Sequence, residues 1–128
     1  MKKILVIGTL LLSTSIASAA SDNIVLKVGG KPVVIQRPYW IDGSCVSKLN
    51  KIVRAELSSG SDLVSLSVSN GQQVKTQQCG NTVTGGYVFA TAKKGPARNG
   101  QIAYTVEYKL VDGTTTYSTG SATVSIVP

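Results

Sequence analysis

The sequence predicts an all-β fold, an antiparallel two-sheet sandwich of about seven to eight strands behind a cleavable leader. Three observations predict it. Beyond residue 20, Val, Ile, Thr, Ser and Tyr recur in short runs punctuated by Gly, Asn and Asp, the composition of strands and turns. Residues 101–110 alternate strictly, with Ile102, Tyr104, Val106, Tyr108 and Leu110 on one face. Finally, Cys45 and Cys79 are the only cysteines of the 128 residues.

The leader comes first. Lys2 and Lys3 precede the apolar run 4–12, and the small residues Ala17-Ser18-Ala19-Ala20 follow. A basic start, a short apolar core and a small-residue cleavage site are the layout of a bacterial, Sec-type signal peptide over 1–20. The apolar run falls short of the ~20 residues of a spanning helix, so membrane contact is expected through the leader alone. No cysteine stands directly at the cleavage region, which argues against lipid anchoring. Residues 21–128 are expected to form one domain, periplasmic or extracellular, too short for two separate cores. Lys2 and Lys3 leave with the leader, so 13 basic residues fall to 11 against 6 acidic, and the formal charge falls from +7 to +5. That excess suits anionic surfaces such as headgroups, acidic glycans or wall polymers, and it suits plain solubility equally.

An even cysteine count in an exported chain reads as a structural disulfide, Cys45 to Cys79. Closing a loop of this length removes roughly 3–4 kcal/mol of unfolded-chain entropy. A redox pair would favour close spacing, which is absent here.

Residues 24–28 and 32–36 flank Gly29-Gly30-Lys31 and read as a first hairpin. Pro38-Tyr39-Trp40-Ile41-Asp42-Gly43 reads as a loop leading to Cys45. Residues 48–57 are ambiguous: Leu49, Ile52, Val53 and Leu57 have helical spacing, with Ser44 or Ser47 as a cap, whereas Val53, Ala55 and Leu57 also make a strand face. A strand is favoured, because every neighbour is β. Val64, Leu66 and Val68 point inward with Ser65, Ser67 and Ser69 outward, and Asn70-Gly71 is a tight reversal. Residues 74–78 run into Cys79, Gly80-Asn81 turns the chain, and 83–91 carries Tyr87 and Phe89 across Gly85-Gly86. After 101–110, Asp112-Gly113 reads as a two-residue hairpin turn. That register sets Tyr117 opposite Tyr108 on the buried face, but Val124 opposite Gln101 on the wrong one. A β-bulge near Gly120 is therefore expected, to return Ala122, Val124 and Ile126 to the core.

The segment Gly85-Gly86-Tyr87-Val88-Phe89-Ala90, the loop to Gly100, Ile102-Ala103-Tyr104-Thr105-Val106-Glu107-Tyr108, Asp112-Gly113 and Ala122-Thr123-Val124-Ser125-Ile126 resembles the second half of bacterial Ig-like and cadherin-like β-sandwich modules. It is also similar to small exported single-domain proteins of Gram-negative bacteria with a cysteine before the aromatic strand. The resemblance covers about a third of the chain and implies an Ig-like sandwich, not a function. Two departures bear on function: Arg98-Asn99-Gly100 stands where many such modules carry an Asp, and the paired acidic calcium ligands of cadherins are missing. Trp40 also precedes Cys45 instead of lying between the cysteines, so the disulfide need not be the inter-sheet bridge of antibody domains.

No histidine occurs, which excludes Ser-His and Cys-His nucleophile pairs and histidine metal sites. Asp22, Asp42, Glu56, Asp62, Glu107 and Asp112 offer no convincing carboxylate pair, since Asp112 belongs to a turn and Glu107 to an outward strand position. No calcium loop or phosphate-binding glycine motif appears. A Ser–Lys dyad is unmarked by context. The expectation is a non-enzyme with no catalytic residue, no cofactor and no metal.

Two surfaces are candidates for binding. Lys93-Lys94-Gly95-Pro96-Ala97-Arg98-Asn99-Gly100 is the densest basic stretch; on an end loop, Lys93, Lys94 and Arg98 could grip phosphate or carboxylate, against the plainer reading of a solvated loop. Lys48, Lys51 and Arg54 join it only if they face the same end. Tyr39-Trp40 could stack on a sugar or anchor a protein, or plug one end of the core. Nucleic acid is not expected, because the charge is modest and aromatics do not interleave with it. The function expected is an exported Ig-like binding module for an unknown protein or an anionic envelope polymer. Two other readings are a structural subunit of a surface fibre or exported complex, assembled by strand addition at an edge (24–28 or the last strand) and able to form homo-oligomers, and an inhibitor of a lytic enzyme or protease.

Overall fold

Seven strands carry residues 22–128, the part of the chain that the computed structural model describes; the leader expected over 1–20 lies outside the described residues. They are β1 (Asp22–Lys27), β2 (Val33–Gln36), β3 (Leu49–Ser59), β4 (Val64–Lys75), β5 (Thr82–Ala92), β6 (Arg98–Leu110) and β7 (Thr115–Val127). Two sheets form, one ordered β1-β7-β6-β3 and the other β2-β5-β4. The described residues contain no helix. The all-β, two-sheet expectation holds, with one exception to antiparallel pairing: β1 runs parallel to β7, Asp22 opposite Ala122 through Lys27 opposite Val127.

That exception removes the expected first hairpin. β1 and β2 lie in different sheets, and residues 28–32 cross between them. The crossing starts with Val28 N–H donating to Val127 O at 2.9 Å and Gly30 N–H donating to Lys27 O at 2.9 Å.

The central pair β6–β7 keeps the alternation read from the sequence. Ile102, Tyr104, Val106, Tyr108 and Leu110 are all buried, as are Ala122, Val124 and Ile126. The turn differs. Leu110 N–H donates to Thr114 O at 2.8 Å and Gly113 N–H to Leu110 O at 2.9 Å, with Gly113 at φ +87°. This is a three-residue loop closed by a left-handed glycine, not a two-residue one. The extra residue shifts the register by one, so Tyr108 faces Thr116, and Tyr117 pairs with Glu107 on the outer face, 61% exposed. The register then runs without interruption to Arg98 opposite Ile126, and no bulge occurs at Gly120. Gly120 has a different role: a Cβ there would lie 2.5 Å from the Tyr104 ring opposite it. Ser118 turns inward and hydrogen-bonds the buried Tyr108 hydroxyl.

Residues 48–57 belong to a strand, and the helical spacing has a cause. β3 slips against β6 between Leu49 and Lys51 and again between Ile52 and Arg54. Each slip inserts a residue, so the inward positions fall at Leu49, Ile52, Ala55 and Leu57. Asn70-Gly71 is likewise a bulge inside the single strand β4 and does not reverse the chain. The Asn70 side chain reaches the other sheet, accepting from Ile52 N–H at 2.6 Å and donating to Ile52 O at 3.2 Å. One amide thus satisfies the backbone of a bulged edge strand across the sandwich.

The main core lies between the sheets and includes Leu26, Ile52, Val64, Val88, Tyr108 and Trp40. A smaller cluster of Tyr39, Ile41, Val74 and Val83 forms where the β2–β3 connection folds over one end of the three-stranded sheet. Neighbouring Tyr39, Trp40 and Ile41 therefore serve two different cores.

Candidate functional site

The strand directions sort the connections into two ends. At one lie the β2–β3 connection 37–48, the β4–β5 turn 76–81 and the β6–β7 turn 111–113; at the other lie 28–32, 60–63 and 93–97.

The first end is tied down. Cys45 and Cys79 form the expected disulfide, with Cα atoms 5.8 Å apart, joining the long connection to the β4–β5 turn and not one sheet to the other. Around it, Tyr39 Oη donates to Gln78 Oε1 at 3.1 Å, Ser47 Oγ to Thr84 O at 2.6 Å, and Gly86 N–H to Pro38 O at 3.1 Å. Asp42 Oδ1 accepts from Ser44 N–H at 2.9 Å and from Ser44 Oγ, a local turn that delivers Cys45 at φ 60°. Those two Ser44 bonds, with Lys48 Nζ 3.6 Å away, hold the Asp42 carboxyl below its usual range. Tyr39 and Trp40 are 6% and 5% exposed, their rings in the smaller cluster and the main core respectively. Neither presents a stacking face to solvent. Burial raises the Tyr39 phenol, partly opposed by its bond to Gln78.

The second end is basic. Lys93 and Lys94 are exposed beyond the end of β5. Lys93 N–H donates to Leu63 O at 2.9 Å, which docks the loop on 60–63. Arg98 is not displayed with the lysines. Its guanidinium donates to Pro96 O at 2.7 Å, Asp62 O at 3.2 Å and Lys93 O at 3.3 Å, so it clamps the loop from beneath. The two lysines gain neighbours that the sequence did not associate with them: Lys27 ends β1 and Lys31 lies in the β1–β2 connection at this same end. Within 27–32, 60–63 and 93–98 there are five cations and one acid, Asp62. No ion pair engages these cations among the described residues. Lys48, Lys51 and Arg54 do not join them. Lys48 and Lys51 lie at the disulfide end, and Arg54 pairs with Glu107 on the outer face of the four-stranded sheet.

Chemically this end offers fixed positive charge. Among the described residues no group of three or more His, Cys, Asp or Glu is placed to hold a metal ion, and no cysteine is free. No family model, curated protein or solved structure matches the chain.

Proposed function

We propose that the protein is an exported, non-enzymatic Ig-like module, released from a leader over 1–20, that binds a protein or an anionic envelope polymer in the periplasm or outside the cell. The observation that carries this reading is that the end of β1 and two connections bring Lys27, Lys31, Lys93 and Lys94 to one end of the sandwich. The disulfide favours an oxidising compartment. The Ig-like reading draws on strand order: β2-β5-β4 faces β7-β6-β3, the B-E-D and G-F-C orders of immunoglobulin sandwiches.

Lysine ammonium groups are compact point charges suited to phosphate or carboxylate without a demanding geometry. Near an anionic surface each contributes about 1 kcal/mol, so four together give on the order of 4 kcal/mol, a millimolar-class contact. Such a contact becomes useful on a repeating polymer or surface, where many weak engagements add. It is also screened by salt within a Debye length of about 8 Å at physiological ionic strength.

The test is retention of purified protein on isolated envelope fractions. Binding at low salt, its loss at high salt, and its loss in a Lys93→Glu/Lys94→Glu variant support the reading. Absence of retention at low salt overturns it.

A further inference from the structure

We infer that the outer face of the three-stranded sheet binds an acidic polysaccharide. Its sugar rings lie on Phe89 and Tyr87, and its carboxylates meet Arg37 at one end and Lys31 and Lys93 at the other. The basic end described above supplies the second of these cation sites, so this site rests on that reading and names its polymer.

Val88 and Ala90 of β5 are fully buried in the main core, so Tyr87, Phe89 and Thr91 point away from it. Two and four residues back from Tyr87, Gly85 and Val83 share that facing, and there Tyr39 and Ile41 of the β2–β3 connection cover the sheet. The cover ends at Tyr87, which borders this smaller cluster. Beyond it, Tyr87 and Phe89 meet edge to face, with ring centres 5.9 Å apart. The neighbouring strands set Val34 opposite Phe89 on one side, and Ser69, Ser67 and Ser65 opposite Tyr87, Phe89 and Thr91 on the other. Ser65 and Ser67 are exposed. The strip is thus two rings flanked by hydroxyls.

Charge selects the occupant. None of the six acidic residues lies in β2, β4 or β5. Arg37, directly after β2, is exposed and its guanidinium sits over the Tyr87 ring, 5.7 Å from its centre. Among the described residues no carboxylate pairs with it. From Tyr87, β5 runs toward the basic end, where exposed Lys93 lies six residues on, about 20 Å along an extended chain. Lys31 joins it there, two residues before Val33, which pairs with Ala90. Rings in the middle, cations at both ends and no acid suit a chain of hydroxylated rings that carry carboxylates. Sugar rings lay apolar C–H faces on aromatic side chains and exchange hydrogen bonds with serines, and their carboxylates accept charged hydrogen bonds from arginine. Serine is depleted at protein–protein contacts, so a protein partner fits this face less well.

Full-length protein recovered after export is titrated with fluorescent oligomers of polygalacturonate, polymannuronate and hyaluronate, each also as its carboxyl-reduced neutral chain. Single-stranded oligothymidylate and inorganic polyphosphate are run beside them. Binding of at least one acidic sugar is expected, with loss on carboxyl reduction. Phe89→Ala should weaken it about tenfold and leave polyphosphate affinity unchanged. Arg37→Gln should weaken sugar binding by a similar factor. Ser67→Glu places an acid beside Phe89 at an exposed position and should abolish sugar binding while circular dichroism stays that of the wild type; it decides alone should Phe89→Ala fail to fold. No binding of any of the three sugars overturns the proposal. So do neutral chains bound as tightly as acidic ones, tighter binding of oligothymidylate, or affinity untouched by Phe89→Ala and Ser67→Glu. The basic-end reading fails separately: salt-sensitive envelope retention that Lys93→Glu/Lys94→Glu abolishes, but Phe89→Ala and Ser67→Glu leave intact, keeps that reading and sinks this site.

Discussion

The two ends of this sandwich are built in contrasting ways. At one, a twelve-residue connection is held by a disulfide, side-chain bonds to two neighbouring segments and an interior tryptophan. At the other, short connections are organised by backbone bonds and a single arginine, with lysines projecting beyond them. The contrast teaches that bonded investment and exposed charge are separated along the strand axis. The densely tied end concentrates the cross-links, and the sparsely tied end is the one that the proposed contact uses.

The largest effect should come from breaking the tied end. Cys45→Ser/Cys79→Ser is expected to lower the unfolding free energy by roughly 3–4 kcal/mol in denaturant titrations. If the ends are independent, envelope retention by the variant stays unchanged wherever it remains folded.

Near the disulfide end, close to the β6–β7 turn, Tyr108→Phe leaves the inward Ser118 hydroxyl without its partner, at an expected cost of about 1–3 kcal/mol. The same phenol supplies a pH signature. Burial raises its pKa well above the ordinary 10.0, opposed in part by the bond to Ser118. The fold keeps the group protonated while the unfolded chain ionises near 10.0. Stability is therefore full below pH 10 and falls as pH rises further. Thermal melts on an alkaline series should show that decline, and it should be shallower in Tyr108→Phe.

Arg98→Ala sharpens the comparison at the basic end. It removes three charged hydrogen bonds to backbone carbonyls at an exposed site, and about 1 kcal/mol of stability should go with them. Because the loop carrying Lys93 and Lys94 loses its clamp, retention should fall more than the lost charge explains; Arg98→Lys, which keeps the charge without the fork, should fall nearly as far.

At the disulfide end, Asp42 gives a smaller acid counterpart. Its carboxyl is held below the usual 3.8 by Ser44 and then Lys48, so its contribution is present above that value and lost as pH drops through the lowered one. Asp42→Asn should flatten the acid limb of the stability profile slightly. Smallest of all, Lys93→Glu/Lys94→Glu should leave stability within about 0.5 kcal/mol while abolishing salt-sensitive retention.

What was legible in the sequence was local. The alternation from Ile102 to Leu110 needs no partner to be read, and two lone cysteines in a chain that opens on a short apolar run are expected to pair. What escaped was set by neighbours. The i, i+3 spacing of Leu49, Ile52 and Ala55 imitates a helix because two bulges each add a residue, and a bulge is visible only against the facing strand. Asp112-Gly113 permits either a two- or a three-residue turn, and Thr114 decides by returning a carbonyl to Leu110. A two-residue turn would set Tyr117 inside and require a compensating bulge at Gly120, which the three-residue turn makes unnecessary. The basic end was half visible: Lys93 and Lys94 adjoin in sequence, whereas Lys27 and Lys31 reach them only because β1 runs parallel to β7. Arg98 looked like a third ligand-facing cation, and the carbonyls that claim it come from three separate positions.

The bond between Asn70 and Ile52 limits what can be built from this module. By occupying the backbone of one rim from the opposing layer, it helps to close that flank to an arriving strand.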